Sequence, residues 1–168
     1  MTHGLCSLVC TFLQKWRCMH TWTRPPFEVS TDPSRLDVAT IHSFLARTYW
    51  SPGIPREFVE RAIAGSLNFG AFEGERQIGF VRVVTDRATF AYLCDVFVLE
   101  AWRGRGISKF MMECVMAHPD LQNLRRWMLA TADAHGLYRQ FGFQTLARPE
   151  RMMEITVPDI YQRLAEQS

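Results

Sequence analysis

The chain has 168 residues, 48% of them apolar, with 19 basic and 17 acidic side chains and a formal net charge of +2. That length suits one domain with an ample core, and the near-neutral balance excludes a polyanion-binding surface carried by bulk charge. No run approaches the roughly 18 consecutive apolar residues of a membrane span, so we expect a cytoplasmic protein with neither membrane nor nucleic acid as partner.

Residues 1–26 stand apart. They hold Lys15, Arg17 and Arg24 and no acid. The apolar run Leu5 to Leu13 has no basic region ahead of it, unlike a secretory signal. We expect an extension ahead of a domain at 27–168; a targeting or docking arm is the alternative. Cys6, Cys10, Cys18, Cys94 and Cys114 are odd in number, and the last two fall in apolar elements. That pattern fits reduced thiols rather than a disulfide framework. Cys6, Cys10, Cys18 and His20 lack the paired Cys-x-x-Cys spacing of a zinc site, so no metal is expected.

Phe27 to Ser30 alternates as a first strand. Asp32-Pro33 predicts a helix start, with Asp32 as cap and Val38, Ile41, Phe44 and Leu45 on the apolar face. A loop over 47–55 follows, containing Tyr49, Trp50 and Ser51, and Pro55 opens a second helix to about Ser66. Leu67 to Glu73, Gln77 to Thr85 and Phe90 to Leu99 predict an antiparallel meander, with Glu73-Gly74-Glu75 as a tight turn. Ile107, Phe110, Met111, Cys114 and Val115 recur at the spacing of one helix face. Arg126 to Thr131 predicts a buried strand. Asp133 would cap a short helix from Ala134 to Phe141, stopped by Gly142. Phe143 to Leu146 and Met152 to Val157 predict a closing hairpin, and Pro158 opens a short terminal helix. The fold class is α/β (α+β): a mixed, mostly antiparallel central sheet flanked by helices on both faces.

The stretch Arg103-Gly104-Arg105-Gly106-Ile107-Ser108 lies where a strand turns into a helix. Backbone amides at a helix N-terminus bind phosphate, and glycines allow an anion to approach closely. Arg103 and Arg105 add donors suited to a pyrophosphate. A flexible basic turn would look similar. The Walker and dinucleotide patterns do not fit, because Gly-Lys-Ser/Thr is absent and Lys109 stands where a third glycine would be needed.

This stretch resembles the Gln/Arg-x-x-Gly-x-Gly/Ala motif of the GNAT superfamily, the acetyl-CoA-dependent N-acetyltransferases, with Ser108 where a last glycine is common. Ala134-His135-Gly136-Leu137-Tyr138-Arg139-Gln140-Phe141-Gly142-Phe143 resembles the family's Ala-x-x-Leu-Tyr-x-x-Phe/Leu-Gly-Phe segment. The resemblance covers about residues 27–157. The resemblance implies a GNAT-like acyl-CoA N-acyltransferase fold in which the strands before and after the phosphate loop and its helix run parallel and splay apart. It also implies acetyl-CoA as donor and a small-molecule amine as acceptor, attacked directly in a ternary complex. Many members pair as homodimers. A non-catalytic acyl-CoA-binding or docking module and a peptide N-acetyltransferase are the alternative readings.

By the same resemblance, Asp95-Val96-Phe97-Val98 would take the pantetheine arm along its backbone, and Val98 or a neighbour would donate to the thioester oxygen. Tyr138 would be the acid at the leaving thiolate, a packing tyrosine being the bland alternative. Thr131 and Asp133 lie where members touch the cofactor. Tyr49, Trp50 and Ser51 lie in the loop that shapes the acceptor site, and could equally lid the core. Asp95 interrupts an apolar strand, and a charge buried there without a partner is costly. It is therefore either a general base or a structural residue, in an ion pair or a capped loop. No cysteine or serine is paired with a histidine as a covalent nucleophile would require.

Overall fold

The computed structural model describes residues 19–166. The apolar run at 5–13 and Cys6, Cys10 and Cys18 lie outside these residues. Six strands form one sheet whose spatial order follows the chain: β1 Thr21–Arg24, β2 Phe27–Ser30, β3 Leu67–Glu73, β4 Arg76–Thr85, β5 Phe90–Val98 and β6 Arg126–Leu129. Every pair is antiparallel except β5 and β6, which run parallel. The helices are α1 Val38–Leu45, α2 Arg56–Ala64, α3 Ile107–Ala117, α4 His135–Arg139 and α5 Ile160–Glu166.

Two apolar clusters clothe the sheet. Ile107, Phe110, Met111, Cys114 and Val115, the predicted stripe of α3, are buried in one that also holds Phe69, Val81, Leu93 and Tyr138. Ile41 and Leu45 of α1 and Val59 of α2 join Phe80 and Phe97 in the other. The helix α3 lies close on the sheet because position 79 is glycine: a Cβ there would stand 2.9 Å from the Phe97 carbonyl and 3.2 Å from Met111 Sδ.

The meander falls within a residue or two of its predicted bounds, as do α2 and α3. Four readings need correction. Asp32 caps only a short 3-10 turn, Pro33–Arg35; α1 begins later, capped by Asp37 through the Thr40 amide at 3.0 Å. Residues 21–24, placed with the extension by sequence, form β1, because Pro25-Pro26 make the turn of a hairpin rather than a break. Trp22 holds this edge strand down, stacking on Phe69 at 6.0 Å. The strand β6 is half-exposed rather than buried, as expected of a strand at the sheet edge. The hairpin over 143–157 does not form. Its apolar residues supplied a strand signal, but the two segments do not pair; a 3-10 turn, Pro149–Arg151, stands in place of a hairpin connection, and Met153 and Ile155 are 96% and 99% exposed.

His118, just beyond α3, is 1% exposed, and its ring lies 4.8 Å from that of His20, beside β1. Its Nδ1 accepts the Asp120 amide at 3.1 Å, while its Nε2 is buried without a partner among the described residues. Burial pushes its pKa from 6.5 down to about 4; Asp120 pulls the other way, and His20 and Arg87 reinforce the drop. The unfolded chain therefore takes up this proton first as pH falls. Stability present above about pH 6.5 should drain towards pH 4, by up to about 3 kcal/mol. Urea unfolding at pH 7 and pH 4.5 checks this: the native chain should lose more than His118→Gln, whereas equal losses would show that His118 does not carry the pH dependence.

Candidate active site

The parallel pairing of β5 with β6 ends at Leu93 and Leu129. Just beyond, β5 bulges. Arg82 pairs with Cys94 but Phe80 pairs with Phe97, leaving Asp95 and Val96 opposite Val81 alone. Asp95 takes φ +53°, a left-handed conformation that aspartate tolerates better than most residues. The extra residue switches the faces of the strand: Leu93 packs with the α3 cluster, whereas Phe97 packs on the other side. It also turns β5 away from β6, so among the described residues no strand pairs with that edge of residues 94–98. Leu99 donates to the Ile78 carbonyl at 2.8 Å on the β4 side. By strand alternation the N–H of Val98 and that of Val96 face the opening.

A cavity of about 940 Å³ fills this opening. The β5 edge from Tyr92 to Val98, residues 130–134 and Tyr138 line it, with Phe44, Arg47, Tyr49 and Trp50 on one rim and Arg103 and Ser108 on another. The loop of glycines stands at its end. Gly104 and Gly106 both take φ +76°, and a Cβ on either would meet nothing of the protein within 4 Å. Gly106 is the N-cap of α3 and offers no side chain to cap it, while the first helical bond runs from Phe110 to the Gly106 carbonyl. The amides of Ile107, Ser108 and Lys109 are therefore left to a ligand or to water. Ile107 itself is buried at 2% exposure, so it can serve a ligand only through its backbone.

The two arginines do not stand ready over these amides. Arg103 Nε donates to the Val98 carbonyl at 3.2 Å, and Arg105 donates to Glu73 at 3.2 Å and lies over the Phe27 ring. Their sequence position gave their charge but not their direction.

Tyr138 is 8% exposed and lines the cavity, with no protein partner for its hydroxyl among the described residues. Burial pushes its pKa up to about 12, with smaller contributions from Asp133 and Tyr49, so the phenol stays protonated at any working pH. Asp133 lines the cavity but does not cap α4. The N-cap of this short helix is Ala134, with no side-chain cap hydrogen bond, and Thr131 Oγ1 accepts the Ala134 amide at 3.0 Å just ahead of it. Tyr49 and Trp50 stand on the rim, and the Tyr49 hydroxyl accepts the Ala132 amide at 3.2 Å, bridging the mouth. Ser51 is turned away: its hydroxyl donates to the Leu45 carbonyl at 3.0 Å, and it lines a second, smaller cavity. Cys94 lies in the cleft, but burial pushes its thiol up to about 12, which leaves it a poor nucleophile.

Asp95 has a partner that sequence reasoning missed. Arg82 Nε lies 2.6 Å from its Oδ2, with the two side chains 19% and 11% exposed, and Trp50 Nε1 donates to Oδ1 at 3.3 Å. The signal in the sequence was a charge at the centre of each of two paired strands. Removing one member of so enclosed a pair leaves the other uncompensated. Arg82→Met should therefore destabilise the fold by about 3 kcal/mol; an unchanged urea midpoint would show that the pair holds nothing together.

Residues 65–145 match the sequence pattern described as acetyltransferase (GNAT) domain. The chain is 32% identical over 138 residues to a protein of Gibberella zeae described as an acetyltransferase, spanning 70% of this chain and 78% of that one. The chain belongs to the GNAT superfamily of acetyltransferases. A GNAT-family acetyltransferase crystal structure from Xanthomonas campestris is 54% identical, with a TM-score of 0.80 over 83% of this chain and 99% of that one. Its likeness supports the mixed GNAT fold, β5 and β6 parallel and parted. A Clostridium acetobutylicum structure determined with acetyl-CoA shares the fold, with TM-score 0.56 and 15% identity over 83% of this chain and 96% of that one. Among the described residues no group of histidine, cysteine and acidic side chains could hold a metal ion, and no helix is long and apolar enough to cross a membrane.

Proposed function

We propose that this acetyltransferase uses acetyl-CoA to acetylate the primary amine of a small molecule, by direct attack with both substrates bound. The supporting observation is the continuous cavity from the uncapped amides of α3, along the free edge of β5, to the Tyr138 hydroxyl. The residues suit the donor: bare amides and two glycines for a pyrophosphate, and an unpaired strand edge for an amide-bearing arm. When bound, acetyl-CoA supplies an activated thioester.

The amides from Arg103 to Ser108 hold the phosphates. Arg103 and Arg105 reach them only by leaving Val98 and Glu73. The backbone of Val96, Phe97 and Val98 aligns the pantetheine arm, and the Val98 N–H faces the reacting carbonyl as oxyanion donor, commonly worth about 3 kcal/mol of barrier. Thr131 and Asp133 border the arm on the other side, and Tyr49 and Trp50 border the acceptor. Tyr138 gives its hydrogen bond, and then its proton, to the departing sulfur. Asp95 accepts the amine's proton through Oδ1, directly or through one water, while Arg82 fixes its Oδ2.

Free thiol released from acetyl-CoA over a panel of amines and peptides tests this reading. Turnover on small amines supports it. Preference for peptides moves the acceptor class, and thermal stabilisation by CoA without any turnover favours a binding module. Asp95→Asn should raise the pH needed for activity; an unchanged pH profile in folded protein would limit Asp95 to its ion pair.

A further inference from the structure

A second cavity of about 290 Å³ lies between α1, α2 and the sheet. Trp50 and Asp95 line it together with the donor cleft, so these two residues stand at the junction. A group held at this end of the smaller cavity lies beside the Asp95 carboxylate. Its apolar lining includes Ile54, Phe58, Val59, Ile63 and Phe80. Tyr161 of α5 also lines it, its ring meeting Phe58 edge-on at 5.7 Å and 72°. Tyr161 packs against the same cluster as α1 and α2, while its neighbour Ile160 is 39% exposed.

Three properties of this cavity restrict its occupant. Its volume lies at the lower end of ligand pockets, which run from about 300 Å³, and equals roughly ten waters at about 30 Å³ each. The charged residues lining it are Arg82 and Asp95, and they neutralise one another at 2.6 Å. A second ammonium would therefore find no counter-charge. Most of the other lining residues are aliphatic or aromatic, with Trp50, Phe58 and Tyr161 supplying ring surface beside the polar groups of Ser51 and Tyr161.

We propose that α5 is the outer wall of the acceptor pocket, that Tyr161 sets the size of the amine admitted, and that the acceptor is a compact monoamine on an aryl or branched-alkyl body. This rests on the reading of the protein as an amine acetyltransferase. Tyr161 touches the acceptor's body and not the reacting atoms, so it governs selectivity.

The test compares phenethylamine, 2-(1-naphthyl)ethylamine and spermidine on the full chain, Tyr161→Ala and Tyr161→Trp. Native protein should favour phenethylamine over spermidine by at least about tenfold in kcat/KM. Tyr161→Ala should shift the naphthyl-to-phenyl ratio about tenfold towards the larger amine, and Tyr161→Trp should shift it the other way, both mainly in amine KM. The acetyl-CoA KM should stay within about twofold in both. Unchanged ratios in folded variants, or a native preference for spermidine, would overturn the proposal. If native protein releases no thiol with any amine, the transferase reading falls, and the pocket is then judged by saturation-transfer NMR. Phenethylamine signals weakened by Tyr161→Ala would support it, and equal signals would overturn it.

Discussion

Gly104→Val is expected to raise the dissociation constant for CoA about a hundredfold, close to 2.7 kcal/mol. Two effects add. Position 104 takes φ +76°, where a β-branched residue is held at a cost of about 1–3 kcal/mol. The new side chain would also project over the loop, since a Cβ at 104 meets no protein atom within 4 Å. The protein has room for it; a phosphate on the amides would not. Gly104→Ala separates the effects, because it carries much of the strain with little bulk. Titration calorimetry with CoA on folded protein should rank native, Ala and Val in falling affinity. Affinity for CoA unchanged in the Val variant would be incompatible with phosphates on this loop.

Tyr138→Phe is expected to lower kcat about a hundredfold while leaving CoA affinity within about twofold. The ring is part of the core, 8% exposed and 6.0 Å from Phe143, so phenylalanine preserves the packing. What is lost is the hydroxyl, which has no protein partner among the described residues and faces the cleft. With its pKa near 12, this phenol is protonated below that pH and loses its proton only above it. Full transfer to an alkyl thiolate, whose conjugate thiol is more acidic than this phenol, is uphill. The stabilisation therefore begins as a strong hydrogen bond to the sulfur, and any falling limb from Tyr138 would lie near pH 12, beyond ordinary assays. A single-turnover rate equal to that of the native protein would remove Tyr138 from the chemistry.

The loop and the Tyr138 segment were legible because each carries its own local signature. Two glycines between an apolar strand and an amphipathic stripe leave few alternatives to a strand–turn–helix corner, and both adopt the left-handed conformation that needs glycine. The strand edge was harder to read. Alternation predicts which side a residue faces only while the register holds, and the extra residue at Asp95 breaks it. Asp95 was conspicuous as an acid in an apolar strand, but its partner sits 13 residues earlier, across the bulge. Arg103 and Arg105 show the same limit from another side, since adjacency to the glycines said nothing of Val98 or Glu73 as their partners. Tyr161 carried no local sign at all. It reaches the second cavity from a helix at the far end of the chain, and only the packing on Phe58 reveals it. The failed hairpin over 143–157 is the converse case: an apolar, alternating pattern is necessary for a strand but does not supply its partner.

A crystal structure of the protein with CoA bound is the most direct test. The pyrophosphate oxygens should accept hydrogen bonds from the amides between Arg103 and Ser108, with the pantetheine arm running along Val96 to Val98 and its sulfur beside the Tyr138 hydroxyl. Coenzyme bound elsewhere, with those amides left to water or to the protein's own side chains, would contradict this placement and the transferase chemistry built on it.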